Sequence, residues 1–297
     1  MLRIVVVVAA LVVTACTAGS AVPSSAPSGA GAAVAQPTAA SSPTRADTAV
    51  ASLKLLASVP DKYWTIGTVA AFKEAKTAGA LIIDVRDQSE YAAGHIPGAV
   101  NIPYRTLASN LDKIPADRTV VVYCASNYRA GIATAALQML GYANVRDFTV
   151  TFKGWQTAKE AISTEPVAAT SAGPSRTDGA LVAAVDAWLK AVPNNNYGIG
   201  TVAALKDAQT AGLTVVDVRE PTEYAAGHIP GALNVPIRDL GKDTVKLPKD
   251  KQIAVYCSTN HRAGMSLVAL RMMGYADVRG FTLSYAGWTA AGEAVAK

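Results

Sequence analysis

Short, β-branched apolar runs alternate along this chain with longer stretches whose apolar residues recur at helical spacing, and the whole alternation occurs twice. In the first occurrence Leu81 to Val85, Val100 to Ile102, Thr119 to Tyr123 and Asn144 to Phe148 are too short for helices and suit buried strands. Their counterparts are Thr214 to Val218, Leu233 to Val235, Gln252 to Tyr256 and Asp277 to Phe281. Between them the spacing predicts short helices at Thr68 to Thr77 and Thr201 to Thr210. It predicts longer ones at Ala130 to Leu140 and Ala263 to Met273, which Gly141 and Gly274 close as C-terminal caps. An amphipathic stretch opens each occurrence, TAVASLKLLASVP and ALVAAVDAWLKAVP, and ends at a proline through which a helix cannot continue. The segments EYAAGH read as polar turns, and a Gly-Trp pair precedes a final helix. Strands alternating with helices predict an α/β fold in each copy, a mainly parallel sheet flanked by helices on both faces. In such sheets ligands sit at the carboxyl ends of the strands.

The duplication keeps strict register. Cys124 and Cys257, Arg129 and Arg262, and the GHIPGA segments at Gly94 and Gly227 all lie 133 positions apart, a domain-length period without insertion or deletion. This organises the chain as 46–162 for the first domain, a linker at 163–178 rich in turn-forming residues, and 179–297 for the second. Ahead of them, residues 1–16 have a positive start, an apolar run from Ile4 to Val13 and small residues before Cys16, which reads as an export signal. That run is shorter than the roughly 20 residues of a membrane-spanning helix. Val13-Thr14-Ala15-Cys16 resembles a bacterial lipobox, which implies lipidation of Cys16; the alternative is an ordinary secretory signal. Residues 17–45, rich in Ala, Ser, Pro, Gly and Thr, read as a flexible tether. The expected place of the protein is the bacterial cell envelope, lipid-anchored and facing outside the cytoplasm.

Composition narrows the function. The apolar fraction of 51% and charged fraction of 16% suit two ordinary globular cores. The formal charge of +5 is scattered, with no basic run or stripe, which argues against a nucleic-acid partner and favours anionic small molecules. With three histidines and no close His/Cys/Asp cluster, neither a metal nor a cofactor is expected. Apart from Cys16 the cysteines are Cys124 and Cys257, which occupy equivalent positions of separate copies and so are not expected to form a disulfide.

Each of these cysteines ends a predicted strand, and four residues later an arginine opens a predicted helix. That places the sulfur at a ring of backbone N–H groups with no partner inside the helix, and those donors favour a thiolate. Arg129 and Arg262 add positive charge and a fork suited to an oxyanion on a substrate. Asn127 and Asn260 suit a left-handed turn, while Ser126, Ser258 and Thr259 add hydroxyls. His261 precedes Arg262 where Tyr128 precedes Arg129, so Cys257 is expected to be the more acidic thiol if His261 is protonated and close to it.

The succession DVRxxxEYxxGHIPGAxNxP, strand, YCxxxxRAG and helix, present in both copies, resembles the rhodanese sulfurtransferase family across nearly all of each copy. The resemblance implies that Cys124 and Cys257 carry sulfur as a persulfide and that the loops Ala125, Ser126, Asn127, Tyr128, Arg129 and Ser258, Thr259, Asn260, His261, Arg262 form the anion cradle. Asp84, Arg86, Asp217 and Arg219 match the family's Asp-Val-Arg beside the loop and are read as supporting it. It further implies a small anionic sulfur donor such as thiosulfate, with a thiol, cyanide or protein acceptor. Two departures matter: both copies keep the cysteine, and the loops lack the glycine pattern of mercaptopyruvate-using members. A persulfide carrier or binding module serving a partner protein is the alternative. A cysteine phosphatase is the weaker rival, because its loop has five residues between cysteine and arginine.

Overall fold

The computed structural model describes residues 45–170, 178–242, 247 and 249–297. Cys16, the signal segment and nearly all of the tether lie outside the described residues, as does part of the linker. In the first copy the strands are β1 (Thr65–Ile66), β2 (Leu81–Asp84), β3 (Val100–Asn101), β4 (Val120–Tyr123) and β5 (Val145–Phe148). They pair in parallel in the order β1-β5-β4-β2-β3. The second copy repeats this with β6 (Gly198–Ile199), β7 (Thr214–Asp217), β8 (Leu233–Asn234), β9 (Ile253–Tyr256) and β10 (Val278–Phe281), in the order β6-β10-β9-β7-β8. All ladders among the described residues are parallel, as continuous apolar strands with helical crossovers require.

Alternation of side chains along the strands feeds two different cores. Ile82, Val121, Tyr123 and Phe148 turn to one face of the first sheet, where Phe72 of α2 (Val69–Thr77) and Trp155 of α5 (Thr151–Thr157) cover them. Val215, Ala254, Tyr256 and Phe281 meet Leu205 of α7 (Val202–Thr210) and Trp288 of α10 (Ser284–Ala290) in the same way. The opposite faces, with Ile83, Val120, Val122, Val216, Ile253 and Val255, belong to one continuous core shared by both copies. Four helices fill it: α1 (Arg45–Ser58), α4 (Tyr128–Met139), α6 (Gly179–Ala191) and α9 (His261–Met272).

The opening helices exchange places. Thr48 of α1 donates to the carbonyl of Met272 at the end of α9 (3.0 Å), and Arg238 donates to the carbonyls of Val59 and Pro60 (3.0 and 2.8 Å). Reciprocally, Ser109 donates to Asp186 of α6 (2.5 Å), and Arg105 to the carbonyls of Val192 and Pro193 (3.1 and 2.8 Å). Each helix therefore packs mainly on the copy it does not precede. Leu55, Leu56, Val185 and Leu189 are buried in doing so, each contributing about 1.5–3 kcal/mol relative to exposure. At the centre α4 crosses α9 at Gly131 and Gly264. A β-carbon on Gly131 would collide with the carbonyl oxygen of His261, and one on Gly264 with that of Tyr128.

The EYAAGH segments, read as turns, are short helices, α3 (Gln88–Ala93) and α8 (Pro221–Ala226). Capping boxes Asp87/Glu90 and Glu220/Glu223 close their N-termini. Gly154-Trp155 and Gly287-Trp288 lie inside the last helices rather than ahead of them. Among the described residues no helix is long and apolar enough to cross a membrane.

Candidate functional site

Strand β4 delivers Cys124, and strand β9 delivers Cys257, each directly into the turn before a long helix. Both are free and buried, with 0% and 1% exposure. Asn127 and Asn260 take the left-handed conformation (φ 66° and 77°), which turns the chain from strand into helix and lets the loop fold back over the sulfur. The backbone N–H of Ala130 donates to Cys124 Sγ at 3.4 Å, so the first turn of α4 does point a donor at the sulfur. The two loops also touch each other. Asn127 donates to the carbonyl of Thr259 and Asn260 to that of Ser126, both at 3.2 Å, while their second bonds, to Thr149 and Thr282 carbonyls (2.9 and 2.7 Å), tie each loop to its own sheet.

The loop arginines are already paired. Arg129 makes a two-pronged contact with Glu90 (2.5 and 2.8 Å), and Arg262 with Glu223 (2.6 and 2.8 Å). From sequence alone, these glutamates suggest only the capping of a short helix. A carboxylate at the third helical position of both copies, just after the Asp-Val-Arg, was the available signal. Hydrogen bonding to Arg129 holds Glu90 below the usual carboxylate range. Burial pushes Glu223 up, but the bonds and charge of Arg262 outweigh it and hold Glu223 at about 2. The charge of each loop guanidinium is therefore largely compensated by its glutamate.

This changes the expectation for the thiol. Burial pushes Cys124 above the ordinary cysteine range, the Arg129 charge opposes the rise, and the Asp147 charge adds to it. Desolvation outweighs the loop donors, so the lowered thiol expected from the helix terminus is corrected at Cys124. The His261 ring is engaged by other partners. Its Nδ1 lies 2.6 Å from Asp147 Oδ2 of the first copy and its Nε2 donates to the carbonyl of Tyr63 (2.7 Å), so the imidazole is spent on the opposite domain. Tyr128 is likewise buried, with its ring against Gly280.

The remaining sequence-predicted residues form a clamp under the loop. Arg86 grips Asp84 through Nε and Nη2 (3.0 and 2.6 Å), donates to the carbonyl of Gly94 (2.7 Å) and lies 4.1 Å from the Phe152 ring. Arg219 repeats this with Asp217 (2.9 and 2.6 Å), Gly227 (2.7 Å) and Tyr285 (4.0 Å). The clamp fixes the end of α3 or α8, the helix that carries the glutamate facing the loop arginine. His95 and His228 stack on Tyr91 and Tyr224 and bond their carbonyls, which fixes the same turn.

The second loop carries additions. Ser258, in the place of Ala125, donates to Glu223 (2.8 Å) and accepts from Arg262 (3.0 Å). Tyr63, from the exchanged arm of the first copy, sets its ring 4.8 Å from the Arg262 guanidinium, accepts from Arg262 Nη1 (3.4 Å) and donates to Glu220 (2.5 Å). Burial and the bond to Glu220 push the Tyr63 phenol up to about 12, so it stays a donor.

A family model described as Rhodanese-like domain matches residues 68–158 and 201–291, together more than half of the chain. Over 84 residues the chain is 43% identical to an HTH-type transcriptional regulator of Mycobacterium tuberculosis, covering 28% of this chain and 35% of that protein. Over 71 residues it is 39% identical to a sulfurtransferase of Allochromatium vinosum, covering 24% and 66%. A longer match, 25% identical over 251 residues, joins it to a thiosulfate sulfurtransferase of Azotobacter vinelandii and covers 70% of this chain and 87% of that one. The chain thus spans about a third and about two thirds of the lengths of the first two relatives.

Proposed function

The chain belongs to the rhodanese-like domain family, and from that premise we propose that it is a sulfurtransferase that carries sulfane sulfur on Cys124 and Cys257. The observation that carries this reading is the buried cysteine at a strand end, in a four-residue loop closed by a glutamate-paired arginine and present in both copies, with a helix N–H aimed at the sulfur of Cys124. A backbone N–H stabilises anionic sulfur without needing a second charge nearby. In the first half-reaction the thiolate attacks the outer sulfur of a donor such as thiosulfate. A Cys–S bond to that sulfur forms, the donor's S–S bond breaks, and sulfite leaves with the bonding pair. In the second, cyanide or a thiolate attacks the outer sulfur of the persulfide and the cysteine thiolate departs. The small loop suits one added sulfur better than a tetrahedral phosphate.

The proposed place of action is the cell envelope, through a lipid on Cys16. Intact mass of the protein extracted from the envelope tests both parts. A lipid adduct on Cys16, with one sulfur gained per remaining cysteine on adding thiosulfate and lost on adding cyanide, supports the reading. No sulfur adduct with any sulfane donor overturns the function, and an unmodified Cys16 overturns the anchor.

A further inference from the structure

The most informative departures from the duplication are complementary. Where the first copy has Asp147 the second has Gly280, and where the first has Tyr128 the second has His261, so each copy's pair meets across the interface. Asp147 faces His261 at 2.6 Å, while Tyr128 fills the place a side chain on Gly280 would take. Asp147 is in register with Val122 on the neighbouring strand, and Cys124 follows two residues beyond Val122. Partners in register share a sheet face, and neighbouring strands lie about 4.8 Å apart, so the carboxyl and the sulfur are diagonal neighbours on the face that meets the shared core. The Cys257 sulfur has a glycine and a phenol at the corresponding place.

The proton inventory follows from the contacts. His261 Nε2 faces a carbonyl, which only accepts, so Nε2 carries a proton. The 2.6 Å contact at Nδ1 holds one more, shared with Asp147 Oδ2. The pair is imidazolium with carboxylate or imidazole with carboxylic acid, and its net charge is zero in both forms. Asp147 is 0% and His261 3% exposed, and Asp147 Oδ1 is buried without a hydrogen-bond partner among the described residues. Losing the shared proton leaves a full negative charge beside Cys124 in a site with little solvent to screen it. Other charged and titratable groups around the pair are committed elsewhere: Arg262 to Glu223, the Tyr63 phenol to Glu220, and Arg129 to Glu90 while facing Cys124. The Tyr128 phenol is packed on Gly280.

We infer that Asp147 and His261 form a shared-proton pair, assembled only where the two copies meet, that sets the ionisation of Cys124. His261 is thus a positioning residue for the thiol of the opposite copy. The inference rests on Cys124 being the reacting thiol. Its readout is alkylation rather than sulfur transfer, so it succeeds or fails independently of the donor.

The test is the pH profile of iodoacetamide alkylation at Cys124 in the Cys257→Ser protein. Asp147→Asn removes the carboxylate charge and moves the Cys124 midpoint down by about one pH unit, while His261→Gln leaves that charge uncompensated and moves it up by a similar amount. The double variant behaves as Asp147→Asn alone. The Cys257 profile, taken with Cys124→Ser in the same backgrounds, stays put and reports that the fold is intact. Should Asp147→Asn fail to fold, Asp147→Ser is measured in its place with the same expected direction. Shifts of equal sign in the two single variants, or no shift in either, overturn the inference, because a merely structural contact does not produce opposite signs.

Discussion

The two thiol loops descend from one repeat and share one scaffold, yet they are furnished differently. Beside Cys124 stand a carboxylate and an imidazole borrowed from the other copy; around Arg262 stand a serine of its own loop and a tyrosine borrowed from the other copy. The shared parts are those that make the loop: strand end, left-handed asparagine, helix N-terminus and arginine–glutamate pair. The differences lie in what reaches in from across the interface. Duplication therefore preserved the reactive frame, and the contact between copies became the place where the two sites diverged.

That contrast makes the crossing of α4 and α9 the first place to test. Gly131→Ala and Gly264→Ala each set a β-carbon against a carbonyl of the opposite helix, and each is expected to destabilise the protein by about 1–3 kcal/mol, seen as a lower thermal midpoint. Because the crossing is symmetric the two losses should match. A large effect at one glycine and none at the other would show that the interface is not the shared frame described.

A smaller effect separates the two arginine–glutamate pairs. Glu223 titrates at about 2 in the folded protein against an ordinary 4.5, so its stabilisation is fully present above about 4.5 and is lost as pH falls towards 2. Urea denaturation of Glu223→Gln should show a deficit at neutral pH that closes with acidification. With the carboxylate about a third exposed, solvent screening keeps it to about 1 kcal/mol or less. Glu90→Gln should behave with the same sign and a smaller deficit, since the first loop lacks the serine and tyrosine contacts. A deficit that widens in acid would contradict the pairing.

Much of this architecture is written in local pattern. The four-residue strands stand out because they are buried on both faces, and the long helices because glycines with positive φ close them (Gly141, 87°; Gly274, 89°). What pattern misses has physical reasons. Strands β1 and β6 are two residues long and carry no period, and α3, with six residues, is too short to show one. The exchange of α1 and α6 is invisible because an apolar face does not say which sheet it will cover. Cys124, Cys257 and their arginines are legible from spacing. Glu90 and Glu223 hide inside a helix cap, and Asp147 with His261 appears only when the mismatches between the copies are read as a pair.

The most direct test of the central claim, that both copies retain sulfur-transfer chemistry within this shared frame, is thiocyanate formation from thiosulfate and cyanide by the wild type, Cys124→Ser, Cys257→Ser and the double variant. Each single variant is expected to keep a measurable rate, and the double variant to lose about three orders of magnitude or more, the scale on which removal of a covalent nucleophile is felt. Full activity in the double variant, or complete loss in either single one, would contradict the account.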